Sequence, residues 1–272
     1  MRILGLLLFY FCCHVNFALG QQWLNDVQIA FPRLDKFSAD NSDHVFISDP
    51  EGNLFQYNAL AEQINLFSPQ RQGRLTQIEA AWTVNIFTFS ADLQEYRILD
   101  RFLKPVAENR IPTDVVNLAK AATLGNNNII WIFDETDFTL KQLEYVKGQV
   151  LQQQPLNLIL GKTSLEIVEL KEYQNLLFIN IRGEGLAILD NQANFIKKIE
   201  IKNEFNLNLW KKYVLIPIGN VLELVDYTTG ERNKIALPSA AQRVQISNGR
   251  VYLQVKGGLL IYKIGDTPLK NM

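Results

Sequence analysis

Short apolar runs alternate with clusters of turn-forming residues along most of this chain, and the alternation is regular. Residues 45–57 read Val-Phe-Ile-Ser, then Asp-Pro-Glu-Gly-Asn, then Leu-Phe-Gln-Tyr. Two β-rich runs around a turn in which Pro50 presets φ and Gly52 accepts a positive φ predict a strand hairpin. The same pattern returns at residues 86–99, 130–143, 177–189, 214–225 and 251–264. Their first residues lie about 41 positions apart on average, which is the period of a four-stranded propeller blade.

Each unit has further parts. Inner-strand candidates precede the hairpins at 75–80, 115–119, 165–170, 205–209 and 243–246, and 113–124 also shows helix-like spacing. Three units continue past the hairpin through a second turn into a fourth strand, at 58–67, 190–199 and 226–235. Those turns open on Asn58, Asp190 and Asp226, whose side chains bond the backbone two residues on. Residues 149–161 read either as an outer strand or as part of an extra blade.

A four-stranded antiparallel sheet of this kind has two apolar faces and must stack on neighbours, which a ring of units provides. The last unit supplies only three strands, and an isolated strand at 27–31 has no partner nearby in sequence. Pairing the two would complete the last blade and close the ring, removing its free edges. The predicted fold is therefore all-β: a six-bladed β-propeller of four-stranded antiparallel blades, closed by the N-terminal strand. Five or seven blades is the rival count.

The recurring hairpin followed by Asx-x-x-x-(Gly/Asn), as in 190–194 and 226–230, resembles the divergent bacterial β-propellers of the WD40, NHL and quinoprotein-like type. The resemblance spans nearly the whole chain after residue 20. No unit carries a Trp-Asp dipeptide or an invariant repeat word, so it implies a superfold and no particular family.

The N-terminus reads differently. Arg2 precedes an apolar run at 3–15, and Ala18-Leu19-Gly20 places small residues before Gln21, the pattern of a secretory signal peptide over residues 1–20. Phe9-Tyr10-Phe11 stands where a bacterial lipobox needs Leu, a small residue and Gly or Ala, which argues against lipidation at Cys12. No later stretch approaches the roughly 18 apolar residues of a membrane helix. The expectation is an exported protein, periplasmic, envelope-associated or extracellular, with one propeller domain over residues 21–272. Both cysteines of the chain, Cys12 and Cys13, fall in the leader, so the domain has no thiol for disulfides, catalysis or metal.

Charge narrows the partner class. The formal charge is −1, and −2 once Arg2 is removed, which gives no reason to expect nucleic acid or an anionic membrane as partner. Chemistry is sparse as well. His44 is the one histidine after the leader, too few for a His-rich metal site, and it reads as a surface residue beside Asp43. Residues 160–164, Leu-Gly-Lys-Thr-Ser, mimic the end of a phosphate loop but lack its first glycine, and Gly183-Glu-Gly185 fits a hairpin turn better than a dinucleotide fingerprint. The acidic turns at 49–53 and 134–137 gather oxygens of the kind Ca²⁺ takes, but match no established calcium loop and read as solvated turns. No cofactor is predicted. Trp82, Trp131 and Trp210 read as packing residues, and Trp23 as either a cover for the closure seam or exposed.

Two functions follow as expectations. The favoured one is a non-catalytic binding or scaffold propeller that contacts a protein, peptide or glycan. Carried over by position from propellers in general, its binding face holds Asp49, Arg74, Asp92, Asp134, Arg182, Glu184, Arg243 and Lys256, with Glu51, Arg71 and Asp137 in the same loops. Mixed charge there suits a protein surface. The alternative is a cation-dependent hydrolase or lyase of the lactonase or sugar-lyase kind, using Glu79, Asn117, Glu166, Glu169, Asn206 and Asn208 around a central channel.

Overall fold

The computed structural model describes residues 23–80, 85–201 and 206–272. The leader, Trp82, and the start of the fifth inner-strand candidate at Phe205 lie outside those residues.

The chain begins with β1 (Asn25–Ala30) and then lays down five complete blades. Blade one is β2 (Lys36–Ala39), β3 (Val45–Ser48), β4 (Leu54–Tyr57) and β5 (Gln63–Phe67). Blade two is β6 (Gln77–Glu79), β7 (Ile86–Ser90), β8 (Glu95–Leu99) and β9 (Pro105–Arg110). Blade three is β10 (Ala119–Leu124), β11 (Ile129–Asp134), β12 (Thr139–Glu144) and β13 (Gln149–Pro155), followed by one helical turn, α1 (Leu156–Ile159). Blade four is β14 (Ile167–Tyr173), β15 (Leu176–Ile181), β16 (Gly185–Asp190) and β17 (Phe195–Ile199). Blade five is β18 (Leu209–Trp210), β19 (Tyr213–Ile218), β20 (Val221–Asp226) and β21 (Arg232–Ala236). Blade six is β22 (Arg243–Ser247), β23 (Arg250–Val255) and β24 (Gly258–Lys263), with β1 as its outer strand.

All six sheets have four antiparallel strands, so the count is six, and residues 149–155 belong to an outer strand of blade three. The closure strand pairs as the sequence predicts, with Val27 opposite Ile261 and Ala30 opposite Gly258. Three inner strands differ from expectation, the fifth among them, which covers only Leu209–Trp210 where 205–209 is expected. Lys36–Ala39 was not legible as a strand, and the third inner strand runs over 119–124 rather than 115–119. The strands at 36–39 and 119–124 mix small and polar residues and so carry no strand periodicity, while Phe37 and Ala122 still pack into the blade junctions.

Six apolar clusters fill the six junctions between neighbouring blades. Phe46 meets Ile78 and Leu99 across the first junction, and Phe178 meets Val225 and Tyr227 across the fourth. The middle strands are buried on both faces, which is why they read as unbroken apolar runs. The outer strands alternate exposed and half-buried residues instead. Each wholly buried Phe, such as Phe46 or Phe87, contributes about 1.5–3 kcal/mol relative to exposure.

The second turn of the repeat is one motif used several times. Asn58, Asp100 and Asp190 each accept the backbone N–H groups of residues i+2 and i+4, and residue i+3 adopts a left-handed φ near 62° at Ala61, Leu103 and Ala193. Asp40 and Asp49 build the same turn at other loops, with Asp43 and Gly52 in the left-handed position. The Asp100 turn escaped the sequence pattern because Lys104 stands where Asn194 and Gly230 stand in the other turns.

Candidate functional site

Polar side chains of the inner strands tie each blade to the next. Ser38 Oγ accepts Ala80 N–H at 3.1 Å, Glu79 Oε2 accepts Leu124 N–H at 3.1 Å, and Thr123 Oγ1 accepts Glu172 N–H at 3.1 Å. Glu169 Oε2 then accepts Leu207 N–H, Arg243 Nε donates to Asn208 Oδ1 at 3.2 Å, and Gln245 bonds both the N–H and the C=O of Ala39 at 3.0 Å. Every one of the six junctions thus carries such a bond. Glu79 uses both carboxylate oxygens and Glu169 one of its two in holding the ring.

Their electrostatics agree. Burial raises the carboxyl of Glu79 above its usual range, while Lys171 at 3.9 Å and donors from Gln77, Thr123 and Leu124 oppose the shift. Burial and the nearby Arg243 guanidinium push the ammonium of Lys36 down. Arg243 lies over the ring of Phe37 at 5.0 Å. A divalent cation at the axis would share the space with Lys36, Lys171 and Arg243, so these residues do not fit the cation-dependent alternative. Of its three other carriers, Asn206 accepts from Lys36 Nζ at 2.8 Å, Asn117 and Glu166 are exposed, and Glu166 pairs with Arg182 at 2.5 Å.

The face that carries the loops between second and third strands opens on a recess of about 320 Å³ at the channel mouth. It is lined by Lys36, Arg74, Leu75, Thr76, Ala91, Asp92, Lys120, Ile167, Val168 and Arg182, from four consecutive blades. Three of the sequence-predicted residues, Arg74, Asp92 and Arg182, therefore converge. Lys36 and Lys120 complete the mouth. Both stand on inner strands whose small and polar residues carry no strand periodicity. Most of the cations here are paired: Arg74 binds Asp35 in two-pronged fashion at 2.7 and 2.8 Å, and Lys120 lies 3.1 Å from Glu135.

The other expected residues stand elsewhere. Asp134 is wholly buried, so it is no rim charge: Lys141 at 2.8 Å and the N–H groups of Asn117, Leu118 and Thr136 use its carboxylate. Asp49 is buried too, and its oxygens accept from Glu51 N–H, Asn53 N–H and the Asn53 amide. The oxygens expected to suit Ca²⁺ are thus engaged within their own turns. Arg243 belongs to the channel wall, and Lys256 is exposed on the sixth hairpin. Glu184 lines a separate cleft of about 610 Å³ between blades four and five, where Lys198 at 2.7 Å and Lys162 at 2.9 Å hold its carboxyl below the usual range.

The remaining motifs resolve simply. His44 Nδ1 lies 3.0 Å from Asp40 Oδ2, and the Leu160–Ser164 stretch follows the short helix α1 instead of preceding one. Gly183 and Gly185 form a hairpin turn, and a Cβ on Gly185 would stand 2.4 Å from the carbonyl oxygen of Ile199. Trp131 is buried in the junction of blades three and four and donates to Glu172 at 2.9 Å. Trp210 stacks on Tyr213, and Trp23 covers the closure seam, donating to the Ala236 carbonyl at 3.0 Å.

No protein-family model and no curated protein matches the chain. Among solved structures it is similar to the WD40 domain of Neurospora crassa Pan2, with a TM-score of 0.61 and 12% identity over 90% of this chain and 94% of that one. It is also similar to BamB from Moraxella catarrhalis, with a TM-score of 0.50 and 10% identity over 83% of each chain. At such identities the likeness shows the fold alone, and together with the strand topology it places this chain among the β-propellers, with six blades.

Proposed function

We propose that this chain is an exported, non-catalytic binding scaffold of the cell envelope whose protein or peptide partner docks over the channel mouth. The observation that carries the reading is the convergence of Lys36, Arg74, Asp92, Lys120 and Arg182 from four blades on one recess. The solvent-accessible pairs Lys120–Glu135 and Arg182–Glu166 exchange partners at little cost, since such pairs are worth about 0–1 kcal/mol each. A protein surface carrying its own acids and bases meets that rim by swapping ion pairs, which gives orientation and a fast encounter. The leader-like residues 1–20 support export, and the axial acids support a structural rather than catalytic channel.

The test is charge reversal at the two rim positions that can tolerate it. Asp92 and Arg182 are suited, whereas reversing Arg74 would strand Asp35, whose side chain is only 8% exposed. A photo-crosslinking residue on the rim, beside Asp92, should capture a discrete protein in the native host. Asp92→Lys with Arg182→Glu should abolish that capture at an unchanged melting temperature. Capture that survives the double reversal would refute docking at this mouth.

A further inference from the structure

The face opposite the recess carries the turns that join the third strand of each blade to its outer strand. Aligning the turns by their first residue, Asn58, Asp100, Glu144, Asp190 and Asp226, places Leu60, Phe102, Val146, Gln192 and Thr228 at the same position. The first three are 73%, 54% and 67% exposed, and they occupy consecutive blades. Blade six has no such turn, but its outer strand starts at the same end, where Asn25 pairs with Tyr262, and Leu24 there is 57% exposed. Four consecutive blades therefore project a bare apolar side chain from one face, and the two remaining blades put Gln and Thr in its place. Each such side chain alone would be ordinary for a protein surface; it is their recurrence at one turn position of consecutive blades that points to an interaction.

The tips are held in position. Gln56 of blade one donates to the Arg101 carbonyl at 3.1 Å, Tyr96 of blade two to the Tyr145 carbonyl at 3.4 Å, and Gln142 of blade three to the Asn191 carbonyl at 3.2 Å. Each bond pins the second residue of the next turn. The left-handed residues Ala61 and Leu103 fix the turns from within.

Exposed charge beside the three tips is mostly basic, although Lys147 also lies 3.9 Å from the Glu144 carboxylate. Arg101, Lys104 and Lys147 are exposed, and the Arg101 guanidinium lies 4.8 Å from the ring centroid of Phe102. Glu62 is the one exposed acid of these three turns, since Asp100 and Glu144 accept bonds from their own turn backbones. From this arrangement we infer that the face docks on a lipid bilayer, with Leu24, Leu60, Phe102 and Val146 inserted below the headgroups and Arg101, Lys104 and Lys147 at anionic phosphates. A protein partner rewards contiguous apolar area, whereas these tips sit singly on separate blades. A bilayer receives separated tips equally well, and apolar insertion combined with nearby basic side chains is the pairing that holds a peripheral protein on it. The overall charge of the chain conceals this, because Asp100 and Glu144 balance the count while accepting bonds within their own turns.

Flotation of the full chain with phosphatidylcholine vesicles, with and without phosphatidylglycerol, tests the inference. All variants keep the same N-terminal residues, so any binding by the apolar run at 3–15 is common to them. The wild-type chain should float, more strongly with phosphatidylglycerol. Leu60→Ser with Phe102→Ser and Val146→Ser should lower the partition coefficient at least tenfold on both compositions. Arg101→Glu with Lys104→Glu and Lys147→Glu should lower it only on the anionic vesicles. Since all six side chains are exposed, the melting temperature should hold. A wild-type chain that does not float, or an apolar variant that floats as wild type does, would overturn the inference. A photo-crosslinker at position 102 that captures protein, with flotation unaffected by either variant, would assign the face to protein docking instead.

Discussion

Asp26 on the first strand and Arg250 on the last blade, 224 positions apart in the chain, meet at 2.9 Å. Lys263 approaches the other oxygen of Asp26 at 3.3 Å, and Arg250 reaches on to Asp43 of blade one at 3.5 Å. Ring closure thus rests on a small charge network beside the strand pairing, with the Trp23 ring edge-on to Tyr262 at 5.1 Å.

Reversing one member should loosen the closure selectively. Asp26→Lys places a cation against Arg250 and Lys263 and is expected to cost about 1–2 kcal/mol at low ionic strength, less in 1 M salt where such networks are screened. Urea denaturation at both salt concentrations checks the difference. Hydrogen exchange should accelerate first in the amides of β24.

The glycine at the start of β24 is a harder constraint. A Cβ on Gly258, at φ +152°, would stand 2.0 Å from the Ile29 carbonyl oxygen, which is itself part of the closing strand. Gly258→Ala should cost more than about 3 kcal/mol or prevent closure, because backbone and not a side-chain end is in the way. Gly183, at φ +69° with open space around it, is the control. Its alanine variant should lose only about 1 kcal/mol, from the left-handed backbone alone. Chemical denaturation of both variants separates clash from strain.

The left-handed turn positions predict opposite signs at two equivalent sites. Ala61→Gly relieves a φ of 62° at a half-buried residue and should stabilise by about 0.5–1 kcal/mol. Leu103 has the same backbone but is buried against Phe46 and Leu99, so Leu103→Gly should destabilise by about 2–5 kcal/mol. Melting curves of the two variants decide whether strain or packing dominates at each turn.

Acid sensitivity should trace to two hairpin-end aspartates. Burial alone would raise the carboxyls of Asp134 and Asp226, but hydrogen bonds outweigh it: Lys141 and three backbone N–H groups at Asp134, Lys212 and Thr228 foremost at Asp226. Both carboxyls are held below their usual range. A group whose folded pKa is depressed contributes stability that is present above its unfolded value, about 4, and is lost as the pH falls through the folded value. Stability should therefore hold down to about pH 4 and fall below it. Asp226→Asn should be less stable at pH 7 and show a shallower acid limb, as read by denaturant titration across pH 2–7.

The repeat was legible because hairpins buried on both faces must be written as apolar runs with glycine or Asx turns between them. The channel was not, because inner strands such as Lys36-Phe-Ser-Ala and Ala119-Lys-Ala-Ala-Thr-Leu carry no periodic signal. Their polar residues look like candidate chemistry in the sequence, and the structure shows Glu79 and Glu169 bound to the backbones of neighbouring blades. Asp134 misled for a related reason, since an acid at a hairpin turn looks exposed until the loop ahead of its own blade's inner strand folds over it.

By itself the sequence determined the all-β class, the repeat length, the six hairpins and the strand that closes the ring, because each follows from local turn chemistry and apolar patterning. Only the tertiary structure decided which loop charges share the channel mouth, which acids are consumed between blades, and which apolar turn residues line up on one face. The bonds between blades alone join residues 35 to 206 positions apart, and the geometry of the ring, rather than any local preference, brings them together.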